Sequence, residues 1–208
     1  MLQYGHLIER LLQGQFICQI SDDNAFRHLQ NEEVREQLDT YLRPLNRRLA
    51  SNAEQSVWFL AWLEVTPKVR EELSSQLATT MNSLLPLLEW FALVQETLGL
   101  DATPVAGDII QAPEFVLRSQ DNPSLRERVA RLASDKFFAS TSDDLALQIK
   151  QIFNRLMQHG YLQQPHTDRQ NYRVTGKIDY LLDLVRFIRD EERLAFEEPE
   201  HTQQGLEI

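Results

Sequence analysis

From residue 142 onward the hydrophobic positions change period twice. Leu145, Ile149, Ile152, Phe153, Leu156 and Met157 recur at three- and four-residue steps behind Ser142-Asp143-Asp144, a cap with acidic first-turn side chains, and this predicts an amphipathic helix. Gly160 stops that helix. Tyr161-Leu162 then reads as a strand, Pro165 to Arg169 as a turn and Tyr172-Arg173-Val174 as the returning strand. After Gly176, the residues Ile178, Leu181, Leu182, Val185 and Ile188 form the buried stripe of a last helix.

The first half carries a similar mixture. Leu2, Leu7, Ile8, Leu11 and Leu12 predict an opening helix that ends at Gly14, and residues 16–20 predict a strand. Ser21-Asp22-Asp23 caps the next helix. Phe26, Leu29, Val34, Leu38, Tyr41, Leu42, Leu45 and Leu49 support two helices with a break near Asn31 and a bend before Pro44. Val57 to Leu63 is apolar on both faces, the pattern of a strand covered by protein on both sides. Thr66-Pro67 starts a long helix to about Leu98, single-faced at first and apolar nearly all round from Leu84 to Val94. Pro86 should kink it.

These elements imply a fold class that is mainly α with small β-hairpins (α+β), in tandem winged-helix domains. A helix, a hairpin and a further helix are the reading end of a winged helix, chiefly a binding fold. Gly99 to Gly107, with Pro104 and little periodicity, is the expected boundary. It divides the chain into an N-terminal winged-helix-like domain over 1–100, with a dimerisation surface, and a C-terminal winged-helix domain over 101–195. The latter begins with short helices at Pro113–Ser119 and Pro123–Ala133. Residues 196–208 read as an acidic, solvated tail.

Charge changes the picture more than size does. The 208 residues are 42% hydrophobic and 25% charged, as in an ordinary soluble protein, but the formal net charge is −10. Free-standing DNA-binding domains usually carry a basic excess that replaces counterions on phosphate. One cysteine, Cys18, permits no intrachain disulfide and suits a reducing compartment. No secretion signal opens the sequence, and its most apolar run, Leu84 to Val94, is shorter than the ~20 residues of a membrane helix. A cytoplasmic protein is expected.

No catalytic constellation emerges. Thr175-Gly176-Lys177 lacks the upstream glycine and following hydroxyl of a P-loop, since Asn171 and Ile178 occupy those positions. The histidines are scattered, without zinc-site spacing or cysteine partners. Cys18 has no local base. The pairs Asp22-Asp23, Glu32-Glu33, Glu71-Glu72 and Asp143-Asp144 all fall near helix starts, where carboxylates oppose the macrodipole. Neither enzyme activity, nor a cofactor, nor a metal is therefore expected.

Binding candidates remain. Arg43, Arg47 and Arg48 surround Pro44, Arg169, Arg173 and Lys177 lie on or beside the second hairpin, and Lys150 and Arg155 lie on the preceding helix. All eight are candidates for DNA-phosphate contact, with surface ion pairing as the alternative for each. Trp62, Trp90, Phe91 and Val94 are candidates for contact with a second copy or a partner protein, because aromatic residues dominate interface energetics, with a place in the chain's own core as the alternative for each.

Several strings acquire meaning in combination: Phe16-Ile17-Cys18 with Ser21-Asp22-Asp23, Tyr41-Leu42-Arg43-Pro44-Leu45-Asn46-Arg47-Arg48-Leu49, Pro86-Leu87-Leu88-Glu89-Trp90, and Thr175-Gly176-Lys177-Ile178-Asp179-Tyr180-Leu181. Across residues 14–192 the chain resembles MksE, the MukE-like subunit family of bacterial MukBEF-type condensins. That resemblance implies a tandem winged-helix protein of the kite class, a homodimer, cytoplasmic and nucleoid-associated, with no membrane contact. It further implies a kleisin partner (MksF-like), an SMC-like ATPase (MksB-like) whose heads the kleisin bridges, and in many systems a toprim nuclease (MksG-like). DNA would be contacted within the complex, in chromosome organisation or plasmid defence. The alternative reading is a dimeric winged-helix transcriptional regulator that binds operator DNA.

Overall fold

The computed structural model describes residues 4–166 and 169–197, with side chains as far as Asp190, and in it a helix, a strand, further helices and a two-stranded hairpin follow one another twice. The first unit runs α1 (Gly5–Leu12), β1 (Ile17–Cys18), α2 (Asp23–Gln30), α3 (Glu32–Leu42), a short 3-10 turn (Arg43–Leu45), β2 (Arg47–Ser51) and β3 (Val57–Trp62). A long helix, α4 (Pro67–Leu98), leads to β4 (Ile109–Gln111), α5 (Ala112–Gln120), α6 (Pro123–Ala133), α7 (Leu145–Gln158), β5 (Leu162–Gln163) and β6 (Asn171–Val174). Helix α8 (Lys177–Glu197) comes last. Each unit holds a three-stranded antiparallel sheet, in the orders β1-β3-β2 and β4-β6-β5, so that the third strand is central in both. The protein is thus mainly α with small antiparallel sheets.

Helix starts obey the expected chemistry. Asp22 accepts a hydrogen bond from the Ala25 N–H, Asn31 from Glu33, Thr66 from Val69 and Asp144 from Leu147. Each satisfies one donor that the first helical turn leaves unpaired. Gly160, at φ +75°, lets the chain leave α7 in a conformation that a side chain would strain.

Three departures from the sequence expectation have physical causes. Arg47 to Leu49, expected as helix, form the edge strand β2. Asn46 takes a left-handed conformation (φ +55°) that ends the 3-10 turn, and its side-chain amide brackets Glu64 by donating to the Glu64 carbonyl and accepting the Glu64 N–H. The Asp39 carboxylate then accepts the Leu49 N–H at 2.9 Å, covering part of the strand's open edge. Second, β3 buries only Val57 and Trp58 fully, the two positions that also pair with β1, while the rest of the strand pairs with β2 alone. Third, β4 lies where no strand is expected. It is three residues long and owes its place to pairing with β6.

The division between cores also falls earlier than expected. Leu84, Leu87, Trp90, Phe91, Leu93 and Val94 of α4 pack with Ile110, Phe115, Val129, Ile152, Phe153 and Tyr172 in the second unit's core. The second core thus begins at Leu84, inside α4 and ahead of Gly99–Gly107. The all-round apolar segment is thereby explained: several elements of the second unit, α5 and α6 among them, surround it. Pro86 sits inside the helix, whose helical run continues through it. By length and composition α4 is the one helix among the described residues apolar enough to cross a membrane, yet its C-terminal half is built into this core. Leu2, residues 167–168 of the expected turn, and residues 198–208 of the expected tail lie outside the described residues.

The first turn of α8 joins the units. The Gly176 N–H donates to Cys18 Sγ at 3.2 Å, and Ser56 Oγ donates to Asp179 Oδ2 at 3.2 Å. Tyr180 stacks against Phe16 and Phe59, each with centroids 4.9 Å away. Cys18, on β1, is a buried hydrogen-bond acceptor that faces the start of α8.

Candidate interaction surfaces

Of the four aromatic and aliphatic residues expected to meet a partner, the structure separates three from the fourth. Trp90, Phe91 and Val94 are at most 1% exposed. Trp90 lies 5.0 Å from Phe115 and 5.1 Å edge-on from Phe153, in the middle of the second core. These three residues are core. They are apolar all round because neighbours within the unit surround them, and no surface of theirs is left for a partner. Trp62 is different. It ends β3, half-buried, opposite Arg47 across the hairpin, and the Arg47 guanidinium stacks over its ring.

That stack ties together two residues to which the sequence assigns separate roles. Arg47 is half-buried, its Nη1 has no hydrogen-bond partner among the described residues, and burial lowers its pKa while Glu72 opposes the shift. Around the same hairpin Tyr41, Leu45, Leu63 and Val65 are exposed. Helical spacing alone places Tyr41 and Leu45 on a buried stripe. For Leu45 the signal against that is Pro44 in the 3-10 turn that follows α3, whereas Tyr41 lies inside α3, off the buried Val34-Leu38-Leu42 row.

The eight basic candidates also divide. Arg43, Arg48, Lys150 and Arg169 are exposed. Arg155 is drawn inward, with Nε donating to the Phe137 carbonyl at 3.0 Å and Nη1 to Gln158. Arg173 is half-buried on the central strand β6, with Nε enclosed and unpartnered among the described residues. Lys177 is not available to phosphate. Its Nζ donates to the His159 carbonyl at 2.7 Å and lies 4.8 Å from the rings of both Phe16 and Tyr161. Burial pushes its pKa down to about 8 and that of Tyr161 up to about 12. Lys177 is a bridge between the units, with an aromatic ring from each on its ammonium.

No basic stripe assembles on the helix before the second hairpin. The N-terminal end of α7 presents Asp143 and Asp144, and the exposed Leu147 lies beside Lys150. Such a face offers phosphate one cation behind two carboxylates. Depressions between α6 and α7, and between α1 and α2, are lined by mixed charges such as Arg126, Glu127 and Asp143, or Arg10, Asp22 and His28. Neither gathers a nucleophile with a base. Among the described residues no group of three His, Cys, Asp or Glu side chains is placed to hold a metal ion. The carboxylates singled out in sequence include two caps, Asp22 and Asp144.

Comparison with known proteins bears on both units. The family model described as condensin complex protein MksE matches residues 3–186, from α1 into α8. No curated protein matches the sequence.

Proposed function

The chain belongs to the MksE family of condensin complex proteins, and on that premise we propose that it is a non-catalytic kite subunit of a bacterial SMC-type condensin. In this reading each unit is a winged helix, with β2–β3 and β5–β6 as the wings. The subunit is a homodimer that binds an MksF-like kleisin and so supports an MksB-like ATPase, with an MksG-like toprim nuclease as a further companion. It works in the cytoplasm at the nucleoid, in chromosome organisation and segregation or in plasmid defence. The observation that carries the proposal is the extent of the family match, which takes in both three-stranded sheets. The repeated strand order supports it, as do the exposed apolar side chains around the first hairpin.

DNA contact is secondary and shared with other subunits. A chain of net charge −10 gains little from counterion release, and of the basic candidates only Arg43, Arg48, Lys150 and Arg169 are exposed. In an electrophoretic shift assay from about 50 to about 200 mM salt, the isolated protein should give weak, sequence-indifferent retardation that vanishes at the upper end. Tight, sequence-selective binding lost on Lys150→Ala would instead favour an operator-binding regulator.

A further inference from the structure

The two cores share no residue. Contacts between the units centre on the first turn of α8, where Gly176, Lys177, Asp179 and Tyr180 meet Phe16, Cys18, Ser56 and Phe59. The covalent connection is α4, which places no residue in the first core and whose Ser74 to Thr79 are exposed without exception. Ser, Thr and Asn are poor helix formers. Here the Thr79, Thr80 and Ser83 hydroxyls donate to the helix's own carbonyls at 2.8–3.0 Å, an arrangement that weakens and bends helices. This segment can flex without disturbing either core.

The contact at α8 encloses two charges without counterions. Lys177 is half-buried, and its Nζ makes one hydrogen bond, to the His159 carbonyl, with the rings of Phe16 and Tyr161 against it. Asp179 is half-buried too. Ser56 Oγ donates to its carboxylate, while Glu54 and Asp183 add like charge. Among the described residues neither group takes part in an ion pair. Charge withdrawn from water without a partner opposes the contact that encloses it. Burial accordingly pushes Lys177 down to about 8 and raises the Asp179 carboxyl above its ordinary value.

We propose that the first turn of α8 is a latch at which the two units part and rejoin with both cores intact, and that the unpaired charges of Lys177 and Asp179 set how tightly it holds. Removal of either charge tightens it. Opening rehydrates both groups and uncovers Cys18, the one cysteine of the chain. In the open state Lys177 titrates near the ordinary value of about 10.4, and in the closed state at about 8. Below both values it is charged in either state, and closure bears the full cost. Between them closure releases a proton, so the latch tightens roughly tenfold as pH rises from about 7 to about 9. The other groups around Lys177 move away from this window. Burial, with the charges of Arg155 and Lys177, holds His159 below its ordinary value, and burial holds Tyr161 and Tyr180 above theirs.

The test reads opening of the latch in the full-length protein from its two sides. One reporter is modification of the Cys18 thiol by a chromogenic aryl disulfide, and the other is hydrogen exchange of the Gly176 N–H that donates to that thiol. Thiol rates are divided by those of the same chain unfolded in urea at the same pH, which removes the ionisation of the thiol itself. At about pH 7 both reporters should give one opening constant, larger than that of global unfolding. From the thiol, it should fall roughly tenfold by about pH 9. It should also fall at about pH 7 in Lys177→Met and in Asp179→Asn, and the pH dependence should vanish in Lys177→Met. If Lys177→Met does not fold, Asp179→Asn and the pH profile of the native chain decide. A Cys18 that reacts while the Gly176 N–H stays protected means that β1 frays alone, and this overturns the latch. So does opening no more frequent than global unfolding, or an opening constant that stays level or rises in either variant.

Discussion

Trp90→Ala is expected to unfold the second unit. The indole is fully buried between Phe115 and Phe153, and residues from α4, α5, α6, α7 and β6 share its core. Truncation of a buried Trp to Ala costs about 3–5 kcal/mol, a large part of the ~5–15 kcal/mol that holds a typical protein folded. Urea denaturation monitored by circular dichroism should show the midpoint falling steeply, with loss of any partner binding as a consequence. Trp90→Phe should cost much less, because Trp90 Nε1 is enclosed without a hydrogen-bond partner and phenylalanine leaves nothing unsatisfied. A Trp90→Ala protein with native stability but defective association would return this residue to the surface role its sequence context suggests.

Gly176→Ala is expected to loosen the two units from each other. A Cβ there would lie 2.8 Å from Cys18 Cβ, 3.4 Å from Cys18 Sγ and 3.4 Å from the Ser56 carbonyl. Backbone strain is not the issue, since Gly176 does not take a positive φ. Elsewhere such a change is neutral or stabilises by restricting the unfolded chain, so a loss here isolates the steric clash. Overpacking of this kind costs about 1–3 kcal/mol. The Gly176 N–H donates to Cys18 Sγ, so its hydrogen exchange should accelerate before global stability falls. Unchanged exchange and unchanged stability would mean that α8 does not couple the units.

Local chemistry is legible in the sequence. Asp22, Asn31, Thr66 and Asp144 cap helices where their side chains and the adjoining apolar spacing place them. The short helices α5 and α6 are legible from the proline in the first turn of each. What escapes such reading is set by contacts distant in the chain. Strand β4 has no periodicity of its own and exists through β6, more than 60 residues later. Arg47 and Arg48 become a strand because β3 offers a partner, against the helical spacing of Leu45 and Leu49.

The site is less legible than the fold, and for one reason. A run apolar on every side, as from Leu84 to Val94, signals many neighbours and does not say whether they belong to the same chain. The middle of α4 shows the complementary signal. Leu77, Met81 and Leu85 are ordinary as hydrophobic positions in sequence, yet all three are exposed. Lys177 misleads in a similar way. Its charge suggests phosphate, but its place after Gly176 puts it between Phe16 and Tyr161.

The central claim, a non-catalytic subunit acting through protein partners in a condensin, is tested most directly by a tagged pull-down from the native cell. Nuclease treatment removes bridging DNA, and mass spectrometry identifies the retained proteins. The account predicts a kleisin and a large SMC-like ATPase in near-equal recovery with this chain. Recovery of this protein alone, or only of partners that disappear with the DNA, would contradict it.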